Sequence, residues 1–192
     1  MAELKNEKSD PKFPLGRRIS VEGKGGKTTL SKALAKRFGL DFIEQDAIRH
    51  QANWVELPIE QHRDVLQQKF SEAEVGWVSD GNYRDINDLV MAEVDTVIVL
   101  GFSLRVMMWR TFKRTLGRSF RRKVLWNGNR ENWWISFFSR ESVLYDIWIR
   151  RERFRSYATR SRDGMPDEAT LIVIHSPHEL DDLYEKHGLV RE

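Results

Sequence analysis

The run Ile19-Ser20-Val21-Glu22-Gly23-Lys24-Gly25-Gly26-Lys27-Thr28, continued by TLSKALAKRFG to Gly39, decides the fold. Ile19-Ser20-Val21 is a short β-leaning stretch that ends on a glycine cluster. Beyond the cluster Leu30, Ala33, Leu34 and Phe38 recur at helical spacing until Gly39, so a helix is predicted from Thr28 to Phe38. The local order is strand, glycine loop, helix.

Working outward, Leu40-Asp41-Phe42-Ile43 reads as a second strand closing at Asp46. A helix with Val65, Leu66 and Phe70 on one face follows the break at Pro58, and Trp77-Val78-Ser79 is a third short strand ending at Asp80-Gly81. Asp95 to Leu100 (DTVIVL) has four consecutive branched apolar residues after Thr96, the pattern of a strand covered on both faces as in a parallel sheet. From Leu104 to about Arg162 the pattern is helical and basic, interrupted around Trp126-Asn127-Gly128-Asn129. Thr170 to Ile174 (TLIVI) is a last buried strand, and Ser176 and Pro177 suit the N-cap and first position of a final helix with Leu180, Leu183 and Tyr184 turned inward. Strands alternating with helices predict an α/β domain with a mostly parallel, doubly wound sheet. Residues 1–14 are charged, contain two prolines and lack periodicity, so they are expected to be a mobile tail on a single domain of residues 15–192.

A strand that runs into glycines and then Lys-Thr at a helix start offers successive backbone N–H groups and the helix dipole to phosphate oxygens. Gly23, Lys24, Gly25, Gly26, Lys27, Thr28 and Thr29 are therefore the expected nucleotide cradle, with Lys27 bridging outer phosphates and the Thr28 hydroxyl ligating Mg²⁺. Taken alone, the same residues also make an ordinary strand-to-helix turn. The usual loop places four residues between its first glycine and the Gly-Lys pair, whereas Gly23 and Gly26 enclose only Lys24 and Gly25. An ungapped reading would put Val21 at the first glycine position and spend the strand end on the loop. A real shortening is the better expectation.

With 192 residues and 40% hydrophobic content, the chain suffices for one domain with a sizeable core. It has no cysteine, which excludes disulfides, cysteine-based zinc sites and thiol nucleophiles. No stretch approaches the roughly 18 apolar residues of a membrane span, and MAELKNEKSDPKFP does not resemble a signal peptide, so a cytoplasmic protein without membrane contact is expected. Residues 105–162 hold 16 Lys or Arg against Glu131, Glu141, Asp146 and Glu152, a net +12 in a chain whose total is +3. Such a field attracts phosphates, whether of nucleotides or of nucleic acids. Arg110, Arg114 and Arg118 recur every four residues and form one basic stripe on a helix, which Arg121, Arg122 and Arg130 extend. Trp109, Trp126, Trp133, Trp134 and Trp148 lie among these cations, either packing the helices on the core or forming a stacking surface for nucleic acid. The five histidines show no metal-ligand spacing and receive no role.

The loop, Asp80-Gly81-Asn82-Tyr83-Arg84, DTVIVL and the basic helices follow in the order seen in the adenylate-kinase-like branch of P-loop kinases, which the chain resembles from about Gly16 to Leu189. More narrowly it is similar to the bacterial adenylate-kinase-related proteins called DNA topology modulation proteins, through FIEQDAI, Asn53-Trp54, WVSDGNY and the WNGNRE of Trp126 to Glu131. The resemblance implies a five-stranded P-loop NTPase core, a substrate region after the second strand, and a lid-like arginine-bearing insertion over residues 105–162. It implies an ATP-dependent phosphotransferase with ATP and Mg²⁺ as cofactors and an unidentified small-molecule acceptor. Lys27, Asp80, Arg118 and Arg122 would then be catalytic, with Thr28 and Asp80 on the metal. Asp46, Arg49, Tyr83, Arg84, Arg114, Asn127 and Arg130 would meet the substrate. The relatives tend to carry Asp-Tyr-Pro after the fourth strand, where this chain has Gly101-Phe102-Ser103. A second reading stays open, in which the scaffold binds nucleotide or nucleic acid with impaired turnover.

Overall fold

A computed structural model describes residues 14–120, 127 and 164–191. Their elements run β1 (Arg18–Gly23), α1 (Lys27–Phe38), β2 (Asp41–Glu44), α2 (Gln45–Arg49), α3 (Ile59–Glu72), β3 (Trp77–Asp80), α4 (Asn87–Glu93), β4 (Thr96–Leu100), α5 (Leu104–Phe120), β5 (Thr170–Ile174) and α6 (Pro177–Lys186). The five strands form one sheet in the order β2-β3-β1-β4-β5, every pair parallel.

Alternation along β4 builds the two faces. Ile98 and Leu100 join a core with Ile19 and Val21 of β1, Leu30 and Leu34 of α1, Met107 of α5, and Leu180 and Leu183 of α6. Val97 and Val99 join a second core with Leu66 and Phe70 of α3, and Val90 and Met91 of α4. Helices thus cover both faces, which is why β4 is apolar without interruption and is buried throughout. Each fully buried aliphatic side chain contributes roughly 1.5 to 3 kcal/mol. On α3 the inward face is His62, Leu66 and Phe70 at four-residue spacing, and Phe70 stacks on Trp77 of β3 with ring centroids 4.2 Å apart.

Strand β1 is anchored at its start by Asp95, whose Oδ2 accepts the amides of Arg17 and Arg18 at 2.9 Å each. At the other end of the chain Ser176 Oγ accepts from the amide of Glu179 at 3.1 Å and Pro177 opens α6, the predicted cap.

The sequence reading needs adjustment in three places. The second strand does not close at Asp46: it stops at Glu44, and Asp46 lies in the short helix α2. The third strand extends one residue beyond Trp77-Val78-Ser79, so that Asp80 is its last residue. Helix α4, cued only by short apolar runs, was not anticipated. The tail of residues 1–13 and the interruption at Trp126, Gly128 and Asn129 lie outside the described residues, as does the basic region beyond Phe120 apart from Asn127.

Candidate functional site

The site gathers at the C-terminal edge of the sheet, where open parallel sheets expose loop and helix starts to ligands. Val21 is in register with Asp80 and Asp80 with Glu44, so β1 runs two residues past the end of β3. Its final residue, Gly23, pairs with Leu100 of β4. The connection to α1 is therefore only Lys24, Gly25 and Gly26. Gly23 has φ +98°, and a Cβ there would stand 2.5 Å from the Leu100 carbonyl oxygen, so glycine is needed both for conformation and for space. Gly25 and Gly26 also have positive φ, 90° and 140°.

Helix α1 starts at Lys27 with no side-chain cap and no acidic residue in its first turn. Its first internal bond runs from the Leu30 amide to the Gly26 carbonyl at 3.0 Å. Among the described residues no acceptor takes the amides of Gly25, Gly26, Lys27, Thr28 or Thr29. Unsatisfied donors at a positive helix end form an anion site. Beside them Lys27 Nζ lies 3.2 Å from Asp80 Oδ1, a pair whose carboxylate is buried and whose ammonium is partly exposed. Lys24 and Thr28 are half-buried and Thr29 is exposed.

A second polar cluster lies around α2. Tyr83 donates its hydroxyl proton to Asp46 Oδ1 at 2.6 Å, and the Tyr83 hydroxyl oxygen is 3.5 Å from His50 Nε2. Burial, reinforced by the Asp46 charge and hydrogen bond, pushes the Tyr83 phenol well up, so it acts as a donor throughout the physiological range. His62 packs edge-on to the Tyr83 ring at 5.4 Å between centroids. It is fully buried with neither ring nitrogen hydrogen-bonded. Burial, with a smaller contribution from Arg49, lowers its pKa, so the imidazole is neutral. Gln45 Nε2 donates to Ser79 Oγ at 2.8 Å and its side chain fills the space a Cβ at Gly81 would need, fixing α2 against β3.

The remaining expected site residues divide. Arg49 is committed to Glu56 at 2.5 Å and to the Leu57 carbonyl, which leaves it little freedom to meet a ligand. Arg84 is exposed in a single 3-10 turn. Asn127 Nδ2 donates to the His50 carbonyl at 2.6 Å and to that of Ala47 at 3.3 Å, reaching the end of α2 through main chain. Arg114 and Arg118 fall on α5, along which side chains are described only as far as Lys113, and Arg122 and Arg130 lie outside the described residues.

Sequence reasoning passed over His50, His62 and Gln45, and treated Arg110 only as one member of a stripe. Arg110 Nη1 donates to the Gly25 carbonyl at 2.7 Å. A helical period of four linking His62 to Leu66 and Phe70 was the available signal for a buried histidine. Nothing in one dimension pairs Arg110 with Gly25.

A candidate kinase from Chloroflexus aurantiacus superposes with a TM-score of 0.50 at 17% identity, over 92% of this chain and 99% of that one. The likeness is one of fold, a five-stranded parallel sheet with helices on both faces. Shikimate kinase from Acinetobacter baumannii aligns over 88% of this chain and 89% of its own, at 17% identity and a TM-score of 0.49. No protein-family model matches the chain, and no curated protein matches it. In this fold the glycine connection after β1 and the carboxylate ending β3 stand on adjacent strands, so the Lys27–Asp80 pair follows from strand order.

Proposed function

We propose that this chain is an ATP-dependent phosphotransferase whose acceptor is a hydroxyl-bearing small molecule. The observation that carries the reading is the set of amides from Gly25 to Thr29 that find no acceptor among the described residues at the head of α1, beside the ammonium of Lys27. Such donors neutralise a polyphosphate with little rearrangement, and phosphoryl transfer needs positioning and charge neutralisation more than covalent help from the protein.

In the free protein Lys27 rests on Asp80, and an arriving triphosphate draws the ammonium away. The Thr28 hydroxyl and the vacated Asp80 carboxylate are hard oxygen donors suited to Mg²⁺, which takes one or two protein ligands and fills its shell with water and phosphate. Among the described residues no cluster of three or more metal-ligating side chains exists, consistent with a metal that arrives with its nucleotide. When bound, the ion would neutralise charge on the phosphate oxygens. Asp46, held through one oxygen by Tyr83, orients the acceptor hydroxyl and takes its proton through the other. The acceptor oxygen forms a bond to the γ-phosphorus as the bond to the β-bridging oxygen breaks, and ADP departs. Arg84, exposed and near Tyr83 in sequence, and the arginines of residues 105–162 would close on the phosphates. The similarity in FIEQDAI and WVSDGNY to bacterial adenylate-kinase-related proteins agrees with this division between Asp46 and Asp80.

A calorimetric titration tests the reading: Mg²⁺-dependent ATP binding is expected in the native chain and lost in Lys27→Ala. Unchanged binding by that variant would refute it. The short connection favours a second reading, a nucleotide-binding protein without turnover. Tight ATP binding with no ADP formed against a panel of nucleosides, nucleotides and sugar acids would select it.

A further inference from the structure

The connection between β1 and α1 is two residues shorter than the usual phosphate loop, which removes two amide donors and part of the curve that holds them. A side chain from elsewhere lies along this contracted stretch. Arg110, on α5, runs beside both glycines: its Cδ and Cβ lie 3.4 and 3.5 Å from where a Gly25 Cβ would be, and its Nη1 lies 3.1 Å from the corresponding point of Gly26. The same Nη1 donates to the Gly25 carbonyl at 2.7 Å. From its other side the guanidinium is supported by Phe102, whose ring centroid is 4.8 Å away.

Three features mark this contact as more than surface packing. Arg110 is only half-buried, yet among the described residues no carboxylate comes within ion-pair distance of it. A guanidinium has five N–H donors, and the Gly25 carbonyl takes one. Neither glycine could carry a side chain without strain, because both have positive φ, so the space that Arg110 uses is kept open by the residues it touches. The result is a cation held on the phosphate-loop backbone by a main-chain carbonyl.

We propose that Arg110 is a positioning residue that replaces the two missing loop residues: it fixes the Gly25–Gly26 peptide and so holds the loop amides in place, and it adds positive charge next to the bound polyphosphate. The proposal rests on the nucleotide-binding reading above. The brace itself is a property of the ligand-free chain. A carbonyl held by a charged donor cannot rotate toward an incoming anion, which matters more in a connection of three residues than in a longer one.

The test uses the full chain with Arg110→Met, which keeps an apolar stem against the glycines and removes donor and charge. Two quantities are read: ¹⁵N order parameters of Gly25 and Gly26 without ligand, and affinities for tripolyphosphate and for MgATP. The expected result is a fall of both order parameters from the rigid range toward about 0.6 or lower, with affinities weakened roughly tenfold or more. Unchanged order parameters overturn the brace. Lost order with unchanged affinity overturns its service to the phosphate. If the native chain binds neither probe, the nucleotide reading fails, and the order parameters still decide the brace. Should Arg110→Met not fold, Arg110→Lys is read by the same criteria, because an ammonium cannot both cover the Phe102 ring and reach the Gly25 carbonyl in the same way.

Discussion

Lys27 Nζ and Asp80 Oδ1 stand 3.2 Å apart, joining the first residue of α1 to the last residue of β3. Asp80 is 2% exposed, so the pair gives a buried carboxylate its counter-charge as well as keeping the lysine at the loop. Lys27→Ala should therefore lower stability by about 3 kcal/mol, since an unpaired charge remains inside. Adding Asp80→Asn should recover much of that loss without restoring MgATP affinity. Denaturant midpoints and calorimetry on the single and double variants separate the two roles.

Tyr83→Phe deletes the donor that holds Asp46 Oδ1 at 2.6 Å while keeping the ring against His62. The fold should lose about 1 kcal/mol. Phosphoryl transfer should slow roughly tenfold or more as Asp46 loses its orientation, with ATP affinity unaltered. Steady-state kinetics that match those of the native chain would remove Asp46 from its assigned role.

The lowered pKa of His62 makes stability depend on pH. Below its ordinary value of 6.5 the unfolded chain takes up a proton that the folded chain does not, so the unfolded state gains. Stability present at pH 7 is thus lost as pH falls below 6.5 toward the lowered folded value, by at most about 1.4 kcal/mol per pH unit. His62→Phe, which preserves an aromatic ring edge-on to Tyr83, should flatten this slope in denaturation curves taken between pH 7 and about 5.5.

Gly23→Ala forces a side chain into a position with φ +98° and 2.5 Å from the Leu100 carbonyl oxygen. Local strain of about 1 to 3 kcal/mol is expected, together with weakened pairing at the end of β1 and reduced polyphosphate affinity. Thermal unfolding and tripolyphosphate titration report the two effects.

Ser176→Ala removes the acceptor for the Glu179 amide at the start of α6 and should cost about 1 kcal/mol in chemical denaturation. Nucleotide binding should stay as it was. A loss of binding in this variant would mean that α6 shapes the loop more directly than its packing on Leu100 suggests.

What the sequence revealed followed from local physics. The apolar run of β4 announced a strand covered on both faces, TLIVI announced the edge strand β5, where only Ile172 and Ile174 are buried, and Ser176-Pro177 announced a helix start through a cap that acts over three residues. The end of β1 was also legible, because Gly23 pairs with Leu100 and the loop is truly short. The rest depended on contacts between distant residues. Asp46 and Tyr83 are 37 positions apart, and Arg110 and Gly25 are 85 apart. Helix α2 escaped notice because five residues are too few for a helical period to emerge, and so Asp46 was read as the end of a strand.

Strand β1 comes first along the chain but sits in the middle of the sheet, between β3 and β4. A ribosome that has released Gly23 has not yet made Leu100, the neighbour that fixes it. The proposed anion cradle thus cannot take shape during the early part of synthesis, and Arg110, which donates to the Gly25 carbonyl, arrives later still. A nucleotide bound as proposed could stabilise only chains grown past β4, leaving shorter nascent fragments without that protection.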